Sequence, residues 1–202
     1  MCKHISNQGW FQMFRLFFCS LILILTGCAS TSSSIRDTDT KIALNFEKGP
    51  GPHNFECDAS AGKYLQTNIA TSKGSFHATG MLRFFVTRVH PSWSASASVT
   101  FVGTNEKFVG LQAIVMPDVP ANLQFAITGQ GGPQDRTTFG VTPLTDGLIP
   151  FDITIMADGE LNVSIAGKST NFNVGKFEPA RLSLFCSTAF VQFSKVAVTQ
   201  IN

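Results

Sequence analysis

Two carboxylates placed two residues apart on a strand leave the backbone on the same face, which is how a glycosidase can aim an acid and its partner into one cleft. Within the strand-rich part of the chain, Glu56 with Asp58 and Asp158 with Glu160 have this spacing. The second flanks Gly159 and reads most simply as hairpin and surface residues. Lyase chemistry needs a general base, commonly His or Tyr; beyond the first 27 residues the chain offers Tyr64, His53, His77 and His90. Those histidines are widely spaced and lack the close Cys or His pairs of a zinc site, and no D-x-D-x-D-G loop is present for calcium. No metal and no cofactor is therefore expected. The string GKST at Gly167–Thr170 has Asn162 where a phosphate-binding loop needs its first glycine, and Ser92 and Ser94 lack the glycine brackets of a nucleophile elbow. An enzyme is thus less expected than a binding protein.

A binding surface remains. Trp93 stands beside His90 and Pro91, with Arg83 and Arg88 shortly upstream. An aromatic ring beside hydrogen-bonding side chains can hold a sugar ring or anchor a protein partner; a tryptophan can equally cap a hydrophobic core, and the sequence leaves both roles open. A second segment, GQGGPQDR (Gly129–Arg136), reads either as a ligand-gripping loop or as a plain connection between strands.

The N-terminus carries Lys3 and Arg15, followed by the apolar run Leu16–Leu25. Ten residues fall short of the roughly 20 that span a bilayer as a helix, and a charged start before a short apolar core is the pattern of a secretory signal. LTGC, Leu25–Cys28, follows at once and resembles the bacterial lipobox. That resemblance implies cleavage of residues 1–27 and acylation of Cys28 with more than one chain, enough for stable membrane anchoring. Ala29, rather than Asp, after the cysteine implies the outer membrane. Residues 28–40, rich in Ser and Thr, read as a tether, and residues 41–202 as a single domain.

Loss of Lys3 and Arg15 leaves 13 basic residues against 13 acidic ones. A neutral chain without a basic cluster gives nucleic acid no footing. Of five cysteines, Cys57 and Cys186 stay unassigned once the signal and the lipid site are set aside. In an oxidising compartment two remaining thiols suggest a disulfide, two free buried thiols being the alternative.

Strand signals dominate beyond residue 40. Ser94–Val102 alternates Ala95, Ala97, Val99 and Phe101 with Ser and Thr, the period of a half-buried strand; Leu111–Met116 and Leu123–Thr128 read alike. Across Phe151–Ala166 two alternating runs flank Asp158-Gly159, both tolerant of positive φ, which predicts a hairpin. Arg181–Ser187 and Phe190–Ile201 close the chain as strands. Parity puts Cys57 on one face with Phe55, and Cys186 on one face with Leu182 and Leu184, so both sulfurs point inward. No segment shows helical spacing.

The runs FDITIMADGELNVSIAG and FEPARLSLFCSTAFVQFSKVAV resemble the closing strands of the concanavalin A-like lectin and glucanase superfamily. The resemblance implies an all-β, two-sheet antiparallel jelly-roll sandwich. Glycosidases of that superfamily carry E-x-D-x-x-E on one strand; here Glu56 and Asp58 fit, but Ala61 occupies the position of the second Glu. Taken together, these readings lead to an expectation of a lipid-anchored envelope protein whose sandwich binds a glycan or an envelope partner. A polysaccharide-active enzyme and a purely structural scaffold, favoured by 19 Phe against one Tyr, are the alternatives.

Overall fold

The computed structural model describes residues 52–71, 73–129 and 136–201. Cys28, the signal and tether around it, and the middle of GQGGPQDR lie outside the described residues. Twelve strands account for the described secondary structure: β1 (His53–Asp58), β2 (Tyr64–Ala70), β3 (Ser75–Thr87), β4 (Ser96–Gly103), β5 (Phe108–Val115), β6 (Asn122–Gly129), β7 (Arg136–Pro143), β8 (Ile149–Ile155), β9 (Glu160–Ile165), β10 (Lys168–Asn173), β11 (Pro179–Ser187) and β12 (Ala189–Ile201). They form two antiparallel six-stranded sheets, ordered β1-β12-β3-β8-β9-β10 and β2-β11-β4-β5-β6-β7. This is the expected jelly-roll sandwich.

Alternation explains the layers. Phe151, Ile153 and Ile155 of β8 and Leu161, Val163 and Ile165 of β9 face inward from the first sheet; Val99, Phe101, Leu111, Phe125, Leu182 and Leu184 meet them from the second. Burying a side chain of this size contributes roughly 1.5–3 kcal/mol, and the polar residues between them are left to the two outer faces.

Thr188, at φ 54°, carries the chain from the second sheet to the first between β11 and β12. Beside it Cys186 is bonded to Cys57, with Cα atoms 6.0 Å apart and both residues fully buried. The disulfide joins β1 of one sheet to β11 of the other, as inward parity required.

The Asp158-Gly159 hairpin forms, with a different turn from the two-residue one that such a pair favours. Gly159 N–H donates to Met156 O (2.9 Å) and Met156 N–H to Glu160 O (2.8 Å), so the loop has three residues and only Gly159 of the pair takes a positive φ, 94°. The two-residue turn with both φ values positive lies one hairpin later, at Ala166 (51°) and Gly167 (72°), joining β9 to β10. GKST is therefore a turn and the start of an edge strand.

Candidate functional site

The core claims one face of β4 through Ala97, Val99 and Phe101. Its opposite face carries Ser96, Ser98, Thr100 and Val102, which a flat sheet would leave in water, yet each is 8% exposed or less. Neighbouring side chains rise around them and enclose a groove of about 390 Å³ on the outer face of the second sheet. Strand register sets its floor in two rows, Gln66–Phe185–Ser98–Gln112 and Asn68–Ser183–Thr100–Gly110–Thr128. Gly110 keeps the middle of the floor low, since a Cβ there would stand 2.2 Å from Val99 O. Amides and hydroxyls that both donate and accept hydrogen bonds suit polyhydroxylated ligands.

One end of the groove is held by an ion pair. Arg181 of β11 donates through both terminal nitrogens to the Glu106 carboxylate, with Nη1 3.1 Å from Oε1. Glu106 sits in the β4–β5 turn, where its N–H donates to Gly103 O (3.0 Å) and Gly103 N–H donates to Lys107 O (2.7 Å). Its φ is 62°, a conformation that costs any residue with a Cβ. The hydrogen bond from Arg181, and then its charge, hold the Glu106 carboxyl below the usual carboxylate range, while the same bond raises Arg181 above its ordinary value. A carboxylate kept ionised with both oxygens engaged is poorly suited to proton transfer.

The other end is aromatic. Leu184 and Cys186 face the core, so Phe185 between them faces the groove. Tyr64 of β2 stacks beside it at 5.6 Å between ring centroids, and Trp93 stacks on Tyr64 at 6.2 Å with the two planes 3° apart. Tyr64 is 56% exposed and Trp93 41%, so neither ring is enclosed in the core. Trp93 also walls a second cleft, of about 310 Å³, between the β3–β4 and β5–β6 loops, with His90, Pro91, Met116, Pro117 and Pro120.

The residues grouped around Trp93 in the sequence are only partly brought together. His90 and Arg88 line the loop cleft. The Arg88 guanidinium is engaged with Asp58 Oδ1 (2.7 Å) and Ala59 O (2.9 Å), tying the end of β1. Arg83 does not belong with them: Leu82 and Phe84 occupy the core side of β3, so Arg83 turns outward from the first sheet and lies 4.5 Å over the ring of Phe85. Tyr64 and Phe185 were not joined to Trp93 in the sequence, because the two stacking contacts link residues 29 and 121 positions apart; the inward parity of Leu184 and Cys186 was the signal that Phe185 faces out.

The carboxylate pairs lie away from the groove. Glu56 and Asp58 are exposed on β1 of the first sheet, accepting hydrogen bonds from Gln192 and Arg88. Asp158 Oδ1 accepts from Glu160 N–H at the hairpin tip (3.1 Å). His53 and His77 sit on β1 and β3, and His90 on the β3–β4 loop. His77 Nε2 is 2.9 Å from Asp152 Oδ2 on the outer face of the first sheet. Among the described residues no group of three or more His, Cys, Asp or Glu could hold a metal ion.

Fold and groove define a two-sheet antiparallel jelly-roll sandwich with a recessed outer sheet face. No protein-family model and no curated protein matches the chain. Among solved structures, an alginate lyase from Pseudomonas aeruginosa is similar at 15% identity over 63% of this chain and 65% of that one, with a TM-score of 0.47. The carbohydrate-binding module CBM66 from Bacillus subtilis is similar at 11% identity over 74% and 97%, with a TM-score of 0.45. A family 7 alginate lyase is similar at 11% over 74% and 78%, with a TM-score of 0.46. At these identities the likeness is one of fold.

Proposed function

We propose that this protein is an outer-membrane lipoprotein, acylated at Cys28, whose sandwich domain binds a glycan in the groove of the second sheet without catalysing its cleavage. The observation that carries the reading is the rank of rings formed by exposed Trp93 and Tyr64 and half-buried Phe185, leading into a floor of Ser, Thr and Gln side chains. Sugars offer apolar C–H faces and polar hydroxyl rims, and aromatic rings beside neutral hydrogen-bonding groups complement both. Binding is favoured over catalysis because Glu106, the carboxylate lining the groove among the described residues, is engaged by Arg181. The buried disulfide accords with an exported, oxidising location.

Isothermal titration of the purified protein against a panel of soluble polysaccharides tests the glycan reading. Heat is expected with at least one of them, and Tyr64→Ala should weaken that binding by tenfold or more. No heat with any polysaccharide removes the reading. Mass spectrometry of the membrane-extracted protein tests the anchor: an acylated N-terminal peptide beginning at Cys28 is expected, and Cys28→Ser should release the protein from membranes. An unmodified N-terminal peptide would remove the lipoprotein half while leaving the glycan half standing.

A further inference from the structure

We infer that the loop cleft walled by Trp93 is a second subsite of the same binding track, and that the ligand is an uncharged polysaccharide gripped along several consecutive sugars. The inference rests on the proposed reading of the groove as a glycan site and adds to it the length and charge of the ligand.

Three rings bridge the two cavities. Phe185 lines the groove, Trp93 lines the loop cleft, and Tyr64 stacks on both. A chain leaving the groove over this rank passes from one ring to the next and arrives at a cleft that offers His90, Ser92 and Ser94 as hydrogen-bonding groups. Pro91, Pro117 and Pro120 stiffen that cleft, because a fixed φ lowers the entropy lost when a ligand binds. The groove alone runs along β11 from Arg181 to Phe185, about 14 Å at the usual rise per strand residue, and Tyr64 and Trp93 extend it further. A mono- or disaccharide would leave most of this track in water, whereas small-ligand sites bury most of what they bind.

Charge narrows the ligand class. The cation in the groove lining, Arg181, is neutralised by Glu106, and the cation in the loop cleft, Arg88, by Asp58. A polyanion gains from cations whose charge is uncompensated; amides, hydroxyls and rings serve a neutral chain.

The test uses three ladders of oligosaccharides, from disaccharide to octasaccharide: cello-, laminari- and alginate oligomers. Binding to the purified full-length lipoprotein in detergent is measured by calorimetry and by the fluorescence change of Trp93. For at least one neutral ladder, affinity is expected to rise tenfold or more between the disaccharide and the hexasaccharide. Ser92→Phe, which fills the loop cleft, should bring the hexasaccharide down to the affinity of the trisaccharide, and Pro120→Phe should do the same; near-ultraviolet circular dichroism matching the parent shows that each variant is folded. Affinity independent of length, folded variants that leave the hexasaccharide unaffected, or binding of alginate oligomers alone would each overturn the inference while keeping the groove as a glycan site. Absence of binding to every ladder and to the polysaccharide panel would remove the groove reading as well.

Discussion

At the end of the sandwich where Trp93 sits, chain segments 59–63, 88–95, 116–121 and 144–148 connect the strands. Exposed apolar side chains gather there, Tyr64, Phe85, Val89, Trp93, Val119 and Leu148 among them, with Val89 95% exposed. At the opposite end, β4–β5 and β8–β9 are joined by three-residue turns, and charged side chains pair across it, Arg181 with Glu106 and Lys73 with Glu178. Apolar surface left open to water does nothing to hold loops in place, and the Cys57–Cys186 bond lies beneath that end, between the last residues of β1 and β11. At the charged end the short turns are closed by their own hydrogen bonds and flanked by these ion pairs. A covalent tie at the end that keeps its rings uncovered suits the proposed binding surface, which gains from being preformed.

The contrast can be broken first at the disulfide. Replacing Cys57 and Cys186 together by Ala frees a loop of 129 residues, and the chain-entropy model sets the loss at about 5 kcal/mol. Urea denaturation of the double variant should show that loss, and proteolysis should begin in the loops around Trp93; an unchanged midpoint would mean that packing alone holds this end.

The next effect belongs to the charged end. A Cβ at position 159 would stand 1.7 Å from Gly175 O, on a residue already at φ 94°. Gly159→Ala should cost about 2 kcal/mol or more, read as a fall in the thermal midpoint. Glu106 occupies the corresponding place in the other three-residue turn, with no glycine to ease it, and the ion pair with Arg181 is its evident compensation. Because its carboxyl titrates below the unfolded value of about 4.3, the stabilisation is fully present above that pH and fades as pH falls through the lowered folded value. Glu106→Gln should therefore lie below the parent in urea midpoint at neutral pH, with the gap narrowing below about pH 4. An equal gap at both pH values would assign the loss to something other than the ion pair. The smallest effect is a gain: Ala166→Asn in the two-residue turn should add about 0.5 kcal/mol, because Asn accepts positive φ more readily than Ala.

Period-two alternation made β4, β5, β6, β8, β9, β11 and β12 legible in the sequence, with ends within a few residues of those observed. It failed for β10, an edge strand whose KSTNFN carries one large apolar side chain, and for β7, whose Phe139 and Val141 are both only partly covered. The disulfide was legible because parity is local to each strand. The groove was not, since its floor is the polar side of β4, which a sequence marks as solvent-facing, and its depth arises from neighbours on β2, β11 and β5. Glu106 and Arg181 are 75 residues apart, so nothing local announces their pairing.

β11 lies between β2 and β4, and β12 between β1 and β3. The last two of the twelve described strands thus occupy interior positions in both layers, and neither layer can zip up around a gap. A chain lacking residues 179–201 has its first two strands without partners in their sheets, so native assembly waits for these residues. Contacts between sequence-distant strands also make folding slow. A delay of that kind suits the proposed export, in which a chain crosses a membrane before it folds.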